Sequence, residues 1–443
     1  MFLWEREQFD WVAFGWLLCL LMVHPLMNGY PFIFPDSWGY AGGICPDGIR
    51  SPVLGCAMRP ISVLLGTWGY VMVQSAITAF SLVFLSSVVL SRKNDWALYL
   101  SSIIAGVGLF AGLIMADIWT LTGMVSLFSI AMGIGYPLMT MLLALSIATH
   151  YGNFPVLAGT AVLFLPFAVG RTRYAFMTLV ALILAVILIV GANLFSGEIR
   201  FKSKMAGFGS LASRILYDIP QVIEKKCADD PEFRFCQIKE DIIEYSRLGS
   251  QQSMTWKGRK KLKLGWEEYN DLSREIVFYS FKEFFWENLI ALPVNTFRLL
   301  SCYRLSDAII LVPTDKWEVE GIKQFFPDEL DNFNRSWQAS GKAHKGCRKA
   351  EFFLHWIFAA SMAICLVYTG VRWGDIFEDR IARLSFFGII AVLINAFFMS
   401  NLSGVAGRYH SRIGFLIIYP ACCIVFQLTI NVLKYFKFRQ PKR

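Results

Sequence analysis

The segment IWTLTGMVSLFSIAMGIGYPLMTMLLALSIA, residues 118–148, decides which fold the sequence predicts. It is an apolar run without a charged residue, and it is longer than the roughly 20 residues that a transmembrane helix needs. Gly133, Gly135 and Pro137 lie near its middle, and these residue types mark turns. We therefore predict two short membrane spans joined by a tight turn. This choice fixes the side of the membrane on which every later segment lies.

The composition is that of a polytopic membrane protein. Of 443 residues, 56% are hydrophobic and only 17% are charged, whereas a soluble domain has about 25% charged residues. These values exclude a soluble enzyme, a disordered tail and a disulfide-knotted mini-protein. We predict an all-α membrane protein with about ten transmembrane helices. Besides the two spans within 118–148, the predicted spans are Trp11–Met27, Ile61–Leu90, Trp96–Met115, Phe154–Gly170, Ala175–Phe195, Phe352–Thr369, Leu384–Phe398 and Ile413–Leu433.

Lysine and arginine support the ten-span topology. The net charge is +9. With a cytoplasmic N-terminus, the positive residues concentrate in predicted cytoplasmic segments such as 91–93, 171–173 and 434–443, as the positive-inside rule requires. If 118–148 were one span, the basic tail KYFKFRQPKR would lie outside. We expect both termini in the cytoplasm, and a positive charge of this origin does not indicate binding to nucleic acid.

Three parts of the chain follow from this topology. Residues 1–195 form an N-terminal membrane domain of about seven spans, with an outer loop at 28–60. Residues 351–443 form a C-terminal membrane domain with the last predicted spans and the basic tail. Residues 196–350 form a helix-rich extracytoplasmic domain, long enough to bury a core of its own. Its segment Trp266–Leu292 mixes aromatic and charged residues, which fits a helix on a membrane surface or an ordinary amphipathic core helix.

The cysteines outside the predicted spans all lie in extracytoplasmic segments. An even number of cysteines in an oxidising compartment predicts disulfides, and free thiols are the alternative. Proximity in the sequence gives two pairs and elimination gives a third: Cys45–Cys56, Cys227–Cys236 and Cys302–Cys347.

Ionisable residues at the edges of membrane spans are costly, so each of them is a functional candidate. In the ten-span topology several such residues, from separate spans, share the depth of the outer membrane rim, which predicts a pocket. They are Asp36 after the first span, Arg59 at the start of the second, Asp117 between the third and fourth, His150 between the fifth and sixth, and Arg408, Tyr409 and His410 at the start of the last.

These residue types suit group transfer from a lipid phosphate. A partly desolvated carboxylate can act as a general base, and an arginine fork binds phosphate. We predict that Asp36 deprotonates an acceptor hydroxyl and that Arg408 holds the leaving phosphate, while His150 and His410 assist or help to hold a metal. The structural alternatives are helix capping for Asp36 and Asp117, interface anchoring for Arg59, Arg408 and Tyr409, and a solvated loop position for His150.

Three short motifs and the predicted architecture together resemble the GT-C superfamily of integral membrane glycosyltransferases. The motifs are PDSWGY at 35–40, MADIWT at 115–120 and GRYH at 407–410. The resemblance implies a polyprenyl-phosphate sugar donor and transfer on the periplasmic or luminal side. It gives Asp36 the position of the catalytic base, Asp117 a second acidic position and Arg408 a phosphate contact. Because Ser37 follows Asp36, where many metal-dependent members have paired acidic residues, a requirement for Mg or Mn stays open.

On this basis we expect a glycosyltransferase of a bacterial inner membrane. Its partners would be the bilayer, a polyprenyl-phosphate-linked sugar and an extracytoplasmic acceptor that is a glycan, a lipid or a protein. One alternative is an enzyme like an O-antigen ligase or polymerase, which would depend on arginines and a histidine. Another is a transporter of a lipid-linked molecule. A third is a non-catalytic scaffold, in which Asp36, Asp117 and Arg408 would lie far apart.

Overall fold

The computed structural model of the protein describes residues 9–41, 51–89, 95–134, 136–195, 207–247, 257–312 and 317–439. Within these ranges the chain is helical, and the β-type pairing is limited to an isolated bridge between Phe32 and Leu113. The predicted all-α class is therefore confirmed.

The N-terminal part consists of helices of very different lengths. The first begins after Asp10, whose carboxylate accepts the N–H groups of Val12 and Ala13, and it ends at Gly29, whose left-handed backbone (φ +80°) suits glycine. The helices are α1 (Trp11–Asn28), α2 (Ser37–Ala41), α3 (Pro52–Val89), α4 (Asp95–Ile104), α5 (Val107–Ala111), α6 (Asp117–Ala131), α7 (Tyr136–Thr149), α8 (Asn153–Phe164) and α9 (Arg171–Phe195).

The insert and the C-terminal part continue in the same all-helical manner. Their helices are α10 (Gly207–Asp218), α11 (Gln221–Asp229), α12 (Lys239–Arg247), α13 (Arg259–Lys261), α14 (Trp266–Glu283), α15 (Phe285–Leu300), α16 (Trp317–Phe325), α17 (Leu330–Asn334), α18 (Lys342–Val371), α19 (Arg380–Leu402), α20 (Gly407–Ser411) and α21 (Phe415–Arg439).

Among the described helices, six are long and apolar enough to cross a membrane, namely α1, α3, α9, α18, α19 and α21. Helices α6, α7 and α8 are apolar but shorter. These helices indicate an integral membrane protein, although the predicted count of ten spans is not confirmed. The run 118–148 divides as predicted, because α6 ends at Ala131, Gly133 adopts a left-handed backbone (φ +87°) and α7 begins at Tyr136. Gly135 lies outside the described residues.

The predicted third span, Trp96–Met115, is not a single helix. Helix α4 ends at Ile104, Gly106 adopts φ +65°, and α5 has only five residues. The chain then becomes extended at Leu113, where it pairs with Phe32. The amide of Gln74 on α3 donates to the carbonyl groups of Ala111 and Leu113 (3.0 and 2.9 Å), so it supplies hydrogen bonds to the backbone at the point where α5 ends.

Helix α3 also departs from regular geometry. At Gly66 the backbone leaves the helical region (φ 66°, ψ −165°). The break removes the usual helical acceptor of the next N–H group. The carboxylate of Glu329 replaces it, since it accepts the N–H of Thr67 at 3.0 Å and the Thr67 hydroxyl at 2.5 Å. Glu329 therefore attaches the second half of the insert to the middle of α3.

The described part of the insert contributes to two hydrophobic cores. Residues 207–284 surround a separate core built from α10, α11, α12 and α14. Residues from Leu299 to Phe333 belong instead to the main core, which they share with the membrane helices. The ring of Phe333 packs edge-on against Tyr30 at 5.6 Å. The second half of the insert thus covers the loop that follows α1.

The cysteine predictions have different outcomes. Cys227 and Cys236 form a disulfide, with Cα atoms 5.6 Å apart, as predicted. Cys302 and Cys347 both carry free thiols, so the pair assigned by elimination is wrong. Elimination takes no account of position, and Cys347 belongs to α18, whereas Cys302 follows the end of α15. Cys56 is also free, and Cys45 lies outside the described residues.

We expect the Cys227–Cys236 disulfide to stabilise the unit 207–284. Replacing Cys227 by Ser releases a short closed loop and should cost about 2–3 kcal/mol. In hydrogen exchange of the full chain, protection of the α11 backbone should fall by about 30- to 150-fold. The matched variant Cys302→Ser removes a free thiol outside that core and should leave α11 unchanged. Equal exchange in both variants would contradict the expectation.

Candidate functional site

Two loops that carry acidic residues are joined by backbone hydrogen bonds. The N–H of Phe32 donates to Gly112 O at 2.9 Å, and the N–H of Ile114 donates to Phe32 O at 3.0 Å. Asp36 follows the first of these segments and Asp117 follows the second. These hydrogen bonds therefore hold the segment before Asp36 against the segment before Asp117.

A buried glutamine from the insert holds the first loop on its other side. Gln338 accepts the N–H of Ile33 at 2.9 Å and donates to Ile33 O at 2.6 Å. The backbone N–H of Gln338 donates to Oδ1 of Asn28 at 2.8 Å. An amide side chain can both donate and accept, which is what an isolated extended residue needs in an apolar environment. The segment before Asp36 is consequently fixed from both sides.

The GRYH motif forms the short helix α20. The N–H of Gly407 donates to the Asp307 carboxylate at 2.7 Å, which ties the start of α20 to the insert. Residues four apart lie on one face of a helix. Arg408 and Arg412 therefore point to the same side, whereas His410 points away from them.

Arg412 and Asp117 form a buried ion pair. Nη1 of Arg412 lies 3.0 Å from Oδ1 of Asp117, and the two side chains are 1% and 3% exposed. Arg412 also donates to Oδ1 of Asn395 at 3.4 Å and lies 5.1 Å from the Tyr409 ring. Asp117 is the first residue of α6, but its Oδ1 accepts from Arg412 and its Oδ2 has no hydrogen-bond partner among the described residues. The helix-capping alternative is therefore not what this carboxylate does.

Arg408 is held between two aromatic rings. Its guanidinium carbon lies 4.1 Å from the centroid of Phe34 and 4.9 Å from that of Tyr409. Nη2 donates to the Tyr409 hydroxyl at 3.2 Å. Its Nε and Nη1 are buried and have no hydrogen-bond partner among the described residues. A buried cation is thus fixed in place, with two nitrogen atoms that no described protein group satisfies.

Charge interactions join the other predicted residues to this pair of arginines. Asp36 interacts electrostatically with Arg408 and with His150. His150 also interacts with Asp117 and Arg412. Its Nδ1 accepts the N–H of Gly152 at 3.0 Å, so the neutral ring carries its proton on Nε2. We call Asp36, Asp117, His150, Arg408 and Arg412 the charged cluster.

Two predicted site residues are placed elsewhere. Arg59 is exposed on α3, and its charge acts on the Cys56 thiol. The ring of His410 is buried and contacts Phe358 at 4.5 Å and Tyr303 at 6.0 Å, on the side of α20 that faces α18. Tyr409, by contrast, lies between the two arginines of the charged cluster and packs against both of them.

The prediction from sequence omitted Arg412, although this residue forms the buried ion pair of the cluster with Asp117. Its position four residues after Arg408, in a helix-forming segment, is a local signal that could have identified it. The roles of Phe34 and Asn395 had no such signal, because an apolar residue and an amide in membrane segments are common.

Within the described ranges, no three His, Cys, Asp or Glu side chains come together in a metal-binding group. Asp117, the most buried carboxylate of the cluster, is already bound to Arg412. A guanidinium beside this carboxylate repels a second cation.

Comparison of the chain with protein-family models, with curated proteins and with solved structures gives no match.

The buried ion pair makes a prediction about stability. Asp117→Asn and Arg412→Met should each destabilise the protein by about 3–5 kcal/mol, because each leaves one buried charge without its partner. The double variant should lose less than the sum of the two, which a double-mutant cycle detects. The measurement is the thermal unfolding of the full chain in detergent.

The exposed pair of Lys261 and Asp241 supplies the control for this cycle. Asp241→Asn should leave the unfolding midpoint close to that of the wild type, because exposed ion pairs contribute little. Strict additivity of Asp117→Asn and Arg412→Met would show that the two side chains do not interact.

Proposed function

We propose that this protein is an integral membrane glycosyltransferase that moves a sugar from a polyprenyl-phosphate donor to an extracytoplasmic acceptor. The acceptor is a glycan, a lipid or a protein. The observation that carries the proposal is the buried guanidinium of Arg408, which has N–H groups without protein partners and whose charge interacts with Asp36, Asp117 and His150.

An anion is the ligand that this guanidinium best accommodates. A buried charged group with unsatisfied donors costs several kcal/mol, and a bound anion removes most of that cost. Phosphate offers several acceptor oxygen atoms and forms strong charge-assisted hydrogen bonds with arginine. The Phe34 and Tyr409 rings prevent the side chain from turning away, so the donors are in position before the ligand arrives.

The chemistry then needs a base for the acceptor, and Asp36 is the candidate. In the proposed reaction the Asp36 carboxylate takes the proton of an acceptor hydroxyl. The hydroxyl oxygen attacks the anomeric carbon and forms the new glycosidic bond. The bond from that carbon to the phosphate oxygen breaks, and its electron pair leaves with the polyprenyl phosphate. Arg408 stabilises the negative charge of this leaving group.

The other charged residues have supporting roles in this proposal. Asp117 neutralises Arg412 and holds it in place. His150 presents an Nε2 proton that can donate a hydrogen bond to the phosphate or to the acceptor. No step requires a metal.

The arrangement of the cluster also bears on the alternatives. A scaffold is expected to keep Asp36, Asp117 and Arg408 apart, whereas here their charges interact. A transporter is expected to place charges along a path through the bilayer, whereas the charged cluster is gathered at one set of loops.

The proposal predicts the effect of two substitutions on activity. Asp36→Asn should lower kcat by about 10²- to 10⁴-fold, because it removes the general base. Arg408→Ala should cause a loss of about 10²- to 10³-fold, similar to that seen when one stabilising donor is removed, and Arg408→Lys should recover only part of it. The measurement is the transfer of radiolabelled sugar from synthetic polyprenyl-phosphate sugars in proteoliposomes.

Matched controls come from the separate unit 207–284. Asp241→Asn and Arg234→Ala remove the same charges from exposed ion pairs and should leave the transfer rate unchanged. Lipid-pyrophosphate glycans belong in the same donor panel. Transfer from these alone would favour a ligase or polymerase, and full activity of Asp36→Asn would exclude the proposed base.

A further inference from the structure

Helices α14 and α15 of the insert form an elbow at Phe284, where the backbone leaves helical geometry (φ −129°, ψ 44°). Asn288 fixes the bend, because its side-chain amide donates to the Ser280 carbonyl and hydroxyl and to Phe284 O. The two helices are therefore held at a defined angle, and their outer faces form one surface, which we call the elbow surface.

Helix α15 shows the reverse of the pattern of a helix in water, because polar side chains are buried and apolar side chains are exposed. Its buried face includes Asn288 and Asn295, each 1% exposed. Apart from charged residues in its first and last turns, its outward face is apolar and includes Phe285, Trp286, Leu289, Ile290, Val294 and Phe297. A helix in water buries its apolar face, so this pattern is typical of a helix whose outer surroundings are lipid.

The amide NH2 groups at the inner face donate to protein groups. Asn295 donates to the Asp218 carboxylate at 2.6 Å. Asn401 of α19 donates to Leu292 O and to the Thr296 hydroxyl, at 3.3 and 3.4 Å. The polar side of α15 is thus bonded to the insert and to a membrane helix, as hydrocarbon surroundings demand.

The outer face of α14 changes character along its length. The first turns expose charged residues such as Glu267, Asp271 and Arg274. From Phe278 onward the exposed residues are Phe278, Phe281 and Lys282, and Phe285 and Trp286 follow beyond the bend. A change from charged to aromatic residues marks the interface between water and membrane, where Trp and Lys are enriched.

The elbow surface is continuous with a helix that crosses the membrane. Helix α15 packs along α19, which is one of the described apolar helices long enough to span. Helix α19 exposes Leu393, Phe397 and Leu402. The apolar face of α15 therefore extends a surface that already faces lipid.

From these observations we infer that α15 and the end of α14 are embedded in the bilayer leaflet on the side of the insert, with acyl chains covering the elbow surface. Trp286 and Lys282 lie at the level of the lipid headgroups, and Phe297 and Ile290 lie deeper. The charged exposed residues of α15 are at its ends, Glu287 in the first turn and Arg298 in the last, where Arg298 pairs with Asp218. This inference does not depend on the proposed enzymatic activity.

Photo-crosslinking of the full chain in nanodiscs of phosphatidylethanolamine and phosphatidylglycerol tests the inference. Trp286, Ile290 and Phe297 are replaced one at a time by p-benzoylphenylalanine, which these exposed positions accommodate. Leu393 of α19 is the lipid-facing reference, and Asp271 of α14 is the water-facing control. After irradiation, mass spectrometry should find phospholipid adducts at 286, 290, 297 and 393 and none at 271.

Two outcomes would overturn the inference. Adducts at 393 without adducts at 290 and 297 would place the elbow surface in water, and crosslinks between two chains at 290 or 297 would make it an interface between copies. Hydroxyl-radical footprinting of the unsubstituted protein in the same nanodiscs gives a second readout. Phe297 should be oxidised no faster than Phe397 of α19, and faster oxidation of Phe297 would exclude lipid contact.

Discussion

The ion pair between Asp117 and Arg412 is the interaction on which the arrangement of this protein depends. Both charges are almost fully shielded from solvent, so neither can remain without the other. The two residues are 295 positions apart in the sequence. The start of α6 must therefore meet the turn between α20 and α21, and this requirement joins the N-terminal and C-terminal membrane parts.

The loops around this pair contain backbone that is neither helical nor exposed to water. Such backbone needs partners, because unsatisfied N–H and C=O groups are costly in apolar surroundings. Gln74 supplies them for the segment before Asp117, and Gln338 supplies them for the segment before Asp36. One glutamine comes from a membrane helix and the other from the insert. The geometry of the candidate site therefore requires both parts of the chain.

The features that the sequence predicted correctly depend on local signals. Gly133 marks the division of the run 118–148, and the short spacing of Cys227 and Cys236 marks their disulfide. The break between α4 and α5 was not predicted, because it depends on bonds from Gln74, and the kink in α3 depends on Glu329, which is 262 residues away from Thr67. Contacts of this kind leave no periodic pattern in the sequence.

The candidate site illustrates the same distinction. The topology placed Asp36, Asp117, His150 and Arg408 at one depth, and their charges do interact in the structure. Depth alone did not separate them from Arg59, which shares the predicted rim but lies on an exposed part of α3. Depth also could not show that His410 points away from Arg408, since that depends on which face of α20 meets α18.

Arg408 on α20 and Arg412 in the turn after it differ in the N–H groups that they can offer to a ligand. Arg412 is paired with Asp117 and bonded to Asn395, which leaves only its Nε without a hydrogen-bond partner among the described residues, whereas Arg408 has two such nitrogen atoms. Tyr409 lies between the arginines, about equally far from both guanidinium carbons (4.9 and 5.1 Å), and its hydroxyl accepts from Arg408 and from Ser403. Cation–π contacts in a desolvated site contribute about 2 kcal/mol each, so the Phe34 and Tyr409 rings restrict Arg408 strongly. A ligand that binds Arg408 therefore meets donors that have already lost their rotamer freedom, which is the condition for tight and specific anion binding by a single side chain.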